Sequence, residues 1–210
     1  MYSPQELELV GAIIGDGHIH LKKPKYYFGL TGNKITDKEY FEKMVKLIKT
    51  VWNKNTKPFE SGRGLRIRVY SKKIVNRLIN KFFLPYNFGK CYKVELPNFV
   101  LANFNLSKHV IRGIADTDGT IFVSDKKGSL KYPSIEITTA SFILAHQIRE
   151  ILVNQDYQVA KVRSNKYKRQ APAYKVGLYG RNNLKKWIRE IGFSNPVKLR
   201  KATDALQPCL

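Results

Sequence analysis

Two hydrophobic periods alternate along the 210 residues of this chain. Apolar positions recur at helical spacing through "ELELVGAIIGDG", "YFEKMVKLIKTVW", "KKIVNRLINKFF", "LSKHVIRGIADTD", "SFILAHQIREILVN" and "NNLKKWIREIG". Between them lie "HIHLKK", "YYFGLTG", "GLRIRVYS", "GTIFVSD", "YPSIEITTA", "YQVAKVRSN" and "AYKVGLYG", which alternate or are rich in β-branched and aromatic residues and read as half-buried strands. Local signals sharpen the boundaries. Ser3 as N-cap, Pro4 at the first helical position and Glu6 three residues after the cap predict a capping box. Gly17 predicts a glycine stop for that helix, and Thr36 a cap for the next. A Lys-Pro-Lys turn joins the first two strands, and a fainter strand near "KPFES" precedes "GLRIRVYS".

The predicted order is helix, two strands, helix, two strands, helix, and it occurs twice. Asp16 and Asp118 occupy matching places 102 positions apart, and "VYSKK" before the last helix of the first copy is echoed by "LYGRN" in the second. The chain is therefore an internal duplication of α+β type: a first half over 1–84, a connection bearing prolines and aromatics over 85–104, and a second half over 105–210. "NPVKLRKATDAL" adds one more helix near the end.

Charge changes the picture more than composition does. Hydrophobic residues make up 43% of the chain, enough for a packed core, but Lys+Arg 38 against Asp+Glu 16 gives a formal charge of +22. That imbalance predicts a polyanionic partner, most simply nucleic acid. No apolar run approaches the roughly 20 residues of a transmembrane helix, and "LVGAII" is too short for a signal-peptide core, so an intracellular protein is expected. Cys91 and Cys209 have no metal-type spacing and predict neither a disulfide framework nor a zinc site.

Alternation on the strands says where the charge goes. In "LRIRVY", Leu65, Ile67 and Val69 share one face and Arg66, Arg68 and Tyr70 the other. "HIHLK" sets Ile19 and Leu21 against His18, His20 and Lys22, and "VAKVR" sets Ala160 and Val162 against Lys161 and Arg163, with Lys175 on the following strand. A polar outer face is ordinary for a half-buried sheet. A face of nearly one sign is not, since exposed surfaces normally mix charges. Such a sheet suits the major groove of duplex DNA, where Arg and Lys read guanine or contact phosphate.

Both copies end an apolar helix in an aspartate, where the helix dipole disfavours a carboxylate by about 0.3–1 kcal/mol. Small residues, Gly11, Ala12 and Gly15 in one helix and Gly113, Ala115 and Thr117 in the other, would let the two backbones approach closely. Packed side by side, the helices would bring Asp16 and Asp118 together. Two adjacent carboxylates repel unless protonated or bridged by a cation, and hard oxygen ligands beside a phosphodiester select Mg²⁺.

One "GDG" would signal only a turn. Two, each closing an apolar helix and each followed by a strand, are specific: "LVGAIIGDG" (Leu9 to Gly17) and "IRGIADTDG" (Ile111 to Gly119) resemble the motif of the LAGLIDADG homing endonucleases in their single-chain, two-motif form. The resemblance covers nearly the whole chain. It implies a duplicated αββαββα fold with two saddle-shaped antiparallel sheets over a long DNA site, and a monomer that cuts both strands to leave short 3′ overhangs. It also implies that Asp16 and Asp118 ligate Mg²⁺ with help from the carbonyls of Gly15 and Thr117. A basic residue before each closing helix is expected near the reacting phosphates, which points to Lys72 and Arg181. DNA contacts are expected from His18, His20, Lys22, Asn33, Arg66, Arg68, Tyr70, Lys161, Arg163 and Lys175.

The sequence departs from the family pattern where relatives carry Gln or Lys at the end of the second strand of each half. Here those stretches read "TGNK" and "TTAS", leaving Asn33 or Lys34 in one half and Thr139 in the other. Asp116 takes the motif position that Ile14 holds in the other copy, so it has no symmetric partner and is expected to be a structural polar residue rather than a ligand. Two further readings share the fold: an intron-RNA-binding maturase, and a DNA-binding protein that does not cut.

Overall fold

The computed structural model describes residues 2–87, 89–126, 129–165 and 173–207. Helix α1 (Pro4–Asp16) leads into β1 (Gly17–Lys22) and β2 (Lys25–Asn33), followed by α2 (Lys38–Trp52), β3 (Phe59–Ser61), β4 (Gly64–Tyr70) and α3 (Lys72–Phe82). Two short helices follow, α4 (Lys90–Lys93) and α5 (Asn98–Leu101). The pattern then returns as α6 (Phe104–Asp118), β5 (Gly119–Lys126), β6 (Ser129–Thr139), α7 (Phe142–Val153), β7 (Arg163–Asn165), β8 (Ala173–Tyr179) and α8 (Arg181–Glu190), with α9 (Pro196–Asp204) at the end. Each half holds a four-stranded antiparallel sheet, ordered β1-β2-β4-β3 and β5-β6-β8-β7. Among the described residues, no helix is long and apolar enough to cross a membrane.

The alternation read from β4 is realised: Leu65, Ile67 and Val69 are buried, while Arg66, Arg68 and Tyr70 lie on the other face. Both sheets turn their apolar faces onto the helices, and α1 packs lengthwise on α6 between the two halves. That contact is backbone against backbone. A Cβ on Gly11 would lie 2.1 Å from the carbonyl oxygen of Val110, and one on Gly113 would lie 2.2 Å from that of Glu8. The two glycines are 102 positions apart, like the two aspartates.

Several local expectations need correction. Ser3 Oγ does accept from the Glu6 amide at 3.1 Å. The Glu6 carboxylate, however, turns to Arg77 and Trp52, so only half of the capping box forms. Gly17 does end α1, but not in the left-handed conformation usual for such a glycine: its φ of −90° and ψ of 166° are extended, and the chain passes directly into β1. Glycine is required there because a Cβ would sit 2.5 Å from Ile13 Cα. The cap position of α2 is Asp37, not Thr36, and the Asp37 carboxylate instead accepts from the Asn33 amide at 2.7 Å. The strand expected over "YQVAKVRSN" is mostly absent: Val159 makes one bridge to Leu178, and β7 begins only at Arg163. Between those pairings the register slips by one, since Val159 opposes Leu178 whereas Arg163 opposes Lys175. Lys161 falls in the irregular stretch.

Candidate functional site at the paired helix ends

Helix packing decides where the aspartates go. A Cβ on Gly15 would meet Thr117 Oγ1 at 2.1 Å and Asp118 Oδ2 at 3.1 Å, so the end of α1 lies directly against the end of α6 and its carboxylate. Thr117 Oγ1 donates back to the carbonyls of Gly113 and Ile114, both at 3.0 Å, which turns the hydroxyl into its own helix and lets Gly15 close in. Asp16 stays open to solvent and Asp118 is half-buried. Burial, and after it the nearby Asp16 charge, push the Asp118 carboxyl up to about 7. Partial desolvation likewise raises Asp16, against the opposing pull of Lys198.

The structure also brings two lysines that the sequence did not single out. Lys90, buried at the start of α4, donates to the carbonyls of Ile13, Ile14 (2.7 Å) and Gly15 (3.3 Å), the last turn of α1. Lys198 of α9 donates to those of Ala115 (2.9 Å) and Thr117 (3.0 Å), the last turn of α6. Each cation offsets the negative end of a helix dipole that already carries an aspartate. Burial lowers the Lys90 ammonium to about 8 even though Asp118 and Asp16 pull it upward. The carbonyls of Gly15 and Thr117, expected to face a metal, therefore accept hydrogen bonds from lysine here. No signal within the chain marks these two residues except their shared place, each just after the last long helix of its half.

Other expected residues lie elsewhere. Lys72 opens α3 with its ammonium over the Tyr26 ring, 5.5 Å from the centroid. Tyr26 pairs with Leu21 while Gly17, next to Asp16, pairs with Leu30. Four residues of strand, about 13 Å of rise, therefore separate the rung that Lys72 covers from the rung next to Asp16. Arg181 donates to the carbonyl of Leu206 at 3.2 Å. Neither is brought to the paired carboxylates. Asn33 Oδ1 accepts from the amides of Ile35 (2.8 Å) and Thr36 (3.2 Å), so this side chain builds a turn. Lys34 pairs with Glu60 at 3.3 Å, and Thr139 Oγ1 accepts from the Ser141 amide at 3.2 Å. Buried Asp116 accepts from the amides of Ser194 and Asn195, fixing the chain that leads into α9 and so placing Lys198.

On the outer face of the first sheet, His20 stacks on Tyr27 with centroids 4.9 Å apart, and the Arg68 guanidinium lies 4.7 Å from the same ring. Arg68 also donates to Tyr70 Oη at 3.3 Å. Partial burial and then Arg68 hold the His18 imidazole below its ordinary value, which favours its neutral form. Lys22 closes the strand, exposed, opposite Lys25. On the second sheet the expected Arg163 and Lys175 both reach Glu136.

Two antiparallel sheets flanking a pair of packed helices, each helix ending in a carboxylate, define the two-motif LAGLIDADG fold. Residues 106–192 match the family described as a LAGLIDADG-like domain. The structure is similar to that of I-DmoI in complex with DNA and Ca, with a TM-score of 0.66 and 16% identity over 96% of this chain and 97% of that one. It is similar also to the homing endonuclease I-WcaI bound to its DNA recognition sequence, with a TM-score of 0.64 and 16% identity over 99% of this chain and 87% of that one. At such identities the likeness is one of fold. In sequence, the chain is 28% identical over 207 residues to a replication factor C small subunit of Methanocaldococcus jannaschii, covering 98% of this chain. It spans only 10% of the length of that relative.

Proposed function

We propose that the protein is a site-specific, divalent-cation-dependent endonuclease that hydrolyses both strands of duplex DNA at a long site and leaves short 3′ overhangs. The observation that carries this reading is the convergence of Asp16 and Asp118 at the ends of α1 and α6, between two sheets with basic outer faces. The donor set fits Mg²⁺: two carboxylates that disfavour each other's charge, with backbone carbonyls of Gly15 and Thr117 alongside, are hard oxygen ligands. A cation held by Asp16 and Asp118 would supply Lewis acidity, stabilising a departing oxygen and easing deprotonation of water.

The chain's own residues do the rest. Lys90 and Lys198 pull the two carboxylates toward their charged form against burial, fix the helix ends that carry them, and place positive charge beside the phosphates to be cut. The halves over 1–84 and 105–210 each present one sheet, so one chain suffices for both half-sites and a monomer acts. His18, His20, Arg66, Arg68 and Tyr70 form one contact face, and Arg163 and Lys175 belong to the other.

The test is selection from a randomised duplex library. Molecules bound in Ca²⁺ are recovered, Mg²⁺ is supplied, and new ends are sequenced. Ends at one fixed offset on both strands of an enriched site of roughly 20 base pairs are expected. Enrichment without ends would leave a DNA-binding protein, and no enrichment would overturn the DNA reading in favour of RNA.

A further inference from the structure

The two outer faces differ at the rung closest to the aspartates. Gly17 opposes Leu30 and Gly119 opposes Ile137, so the next rung outward is His18, Gly29 and Arg68 in the first sheet and Thr120, Glu136 and Gly177 in the second. Gly29 makes room for the His18 ring, since a Cβ there would lie 2.5 Å from His18 Cε1. Its counterpart is a carboxylate whose side chain is only 12% exposed. Glu136 receives Arg163 through a charge-assisted hydrogen bond, Tyr179 Oη at 2.8 Å and Lys175 at 3.4 Å. Arg163 also donates to Tyr179 Oη. Among the described residues, no carboxylate lies on the outer face of the first sheet: the one acid on those strands, Glu60, opposes buried Leu65 and belongs to the inner side.

We propose that Glu136 is a specificity-determining positioning residue, an internal counter-anion that gives the two sheets different tasks. This rests on the DNA-endonuclease reading above. The first sheet, with Arg66 and Arg68 uncompensated, binds the phosphate backbone of any duplex. In the second, Glu136 already occupies Arg163 and Lys175, so a phosphate must compete with a fixed carboxylate for them and is itself repelled by it. A base edge, which carries no net charge, meets a smaller barrier, and the donors of Arg163 and Lys175 not taken by Glu136 or Tyr179 among the described residues are held in orientation for guanine acceptors. Sequence discrimination is therefore concentrated in the half-site under the second sheet, and non-specific affinity under the first.

Binding to a random-sequence duplex of about 30 base pairs, measured against KCl concentration, tests this without knowledge of the target. Glu136→Gln keeps the side-chain shape and frees both cations. It is expected to tighten random-duplex binding by about tenfold and to steepen the salt slope by roughly 1 to 2, about one unit per phosphate gained. The preference for the selected duplex over the random one should fall by a similar factor. Glu136→Asp should restore wild-type slope and preference, which loss of packing alone would not allow. Arg163→Gln, which removes a base-reading donor and leaves Glu136 less compensated, should lower the binding of the selected duplex more than that of the random one, whereas Arg66→Gln should weaken both alike. An unchanged salt slope and preference in Glu136→Gln, with the unfolding midpoint preserved, would overturn the inference and leave the endonuclease reading standing. Failure of the wild-type chain to bind any duplex would overturn both.

Discussion

Lys90 and Lys198 are equivalent through the internal repeat: Lys90 Nζ donates to Ile13, Ile14 and Gly15 at the end of α1, and Lys198 Nζ donates to Ala115 and Thr117 at the end of α6. Ile13 and Gly15 stand 102 positions before Ala115 and Thr117. Each cation thus holds the same two carbonyls of its own motif helix. A feature present in both halves, though carried by the short helix α4 in one and by α9 in the other, belongs to the paired site rather than to local packing.

Replacing either lysine by methionine keeps the stem and removes the charge. Loss of the donor to buried carbonyls should cost about 1–3 kcal/mol of stability, read by denaturant unfolding. Strand cleavage should fall by about 10- to 100-fold with duplex affinity changed far less. Equal loss of binding and cleavage would place these lysines in the DNA interface instead.

The aspartates are held against their own electrostatics. Asp118→Asn removes a carboxyl pushed up to about 7 by burial and by Asp16, so the apo protein should become more stable, raising the unfolding midpoint in a chelator. Wild type should gain stability on addition of Ca²⁺, and Asp16→Asn, Asp118→Asn should not. Thermal unfolding with and without the cation separates these outcomes.

The α1–α6 contact depends on two missing methyl groups. Gly11→Ala and Gly113→Ala would each drive a Cβ to within 2.1 or 2.2 Å of a backbone oxygen on the partner helix, where no flexible side chain can yield. Each should destabilise by about 3 kcal/mol or more, against a small gain for alanine in an unopposed helix. Urea unfolding of both variants checks this.

Away from the site, Glu6 ties α1 to α3: its carboxylate accepts from Arg77 at 2.7 Å and from Trp52 Nε1 at 3.1 Å. Burial alone would raise its pKa, but these bonds together outweigh it and hold the group below the ordinary value of 4.5. The folded state therefore holds this proton less tightly than the unfolded one. The stabilisation is complete above the ordinary value and disappears as pH falls through the lower folded one. Glu6→Gln should cost about 1–3 kcal/mol at neutral pH, with the difference from wild type shrinking in unfolding curves taken down to about pH 3.

Periodicity made the architecture legible. The helical stripe and the aspartate recur in "LVGAIIGDG" and "IRGIADTDG", and the alternation in "LRIRVY" separated core from surface correctly. Features that depend on distant chain segments meeting were not legible. Lys90 acquires meaning only when the chain returns beneath the end of α1, and Glu136 only when β6 and β8 set it beside Arg163 and Lys175. Gly17 ends α1 as its sequence predicts, but through close approach to Ile13 rather than a left-handed turn, and only packing distinguishes the two uses of glycine. Lys72 and Arg181 hold equivalent places before the closing helices, but Lys72 sits at the Tyr26 rung, four strand residues from Gly17, and Gly180 before Arg181 bonds Pro133, four strand residues from Ile137 opposite Gly119.

The central claim is that Asp16 and Asp118 form one cation-dependent site that cuts both strands. Its most direct test compares wild type with the Asp16→Asn, Asp118→Asn double variant on the duplex selected in Ca²⁺, mapping both strands after addition of Mg²⁺. Wild type should cut both strands at a fixed offset, and the double variant should bind with similar affinity and cut neither. Cleavage by the double variant at the wild-type rate and positions would contradict the account.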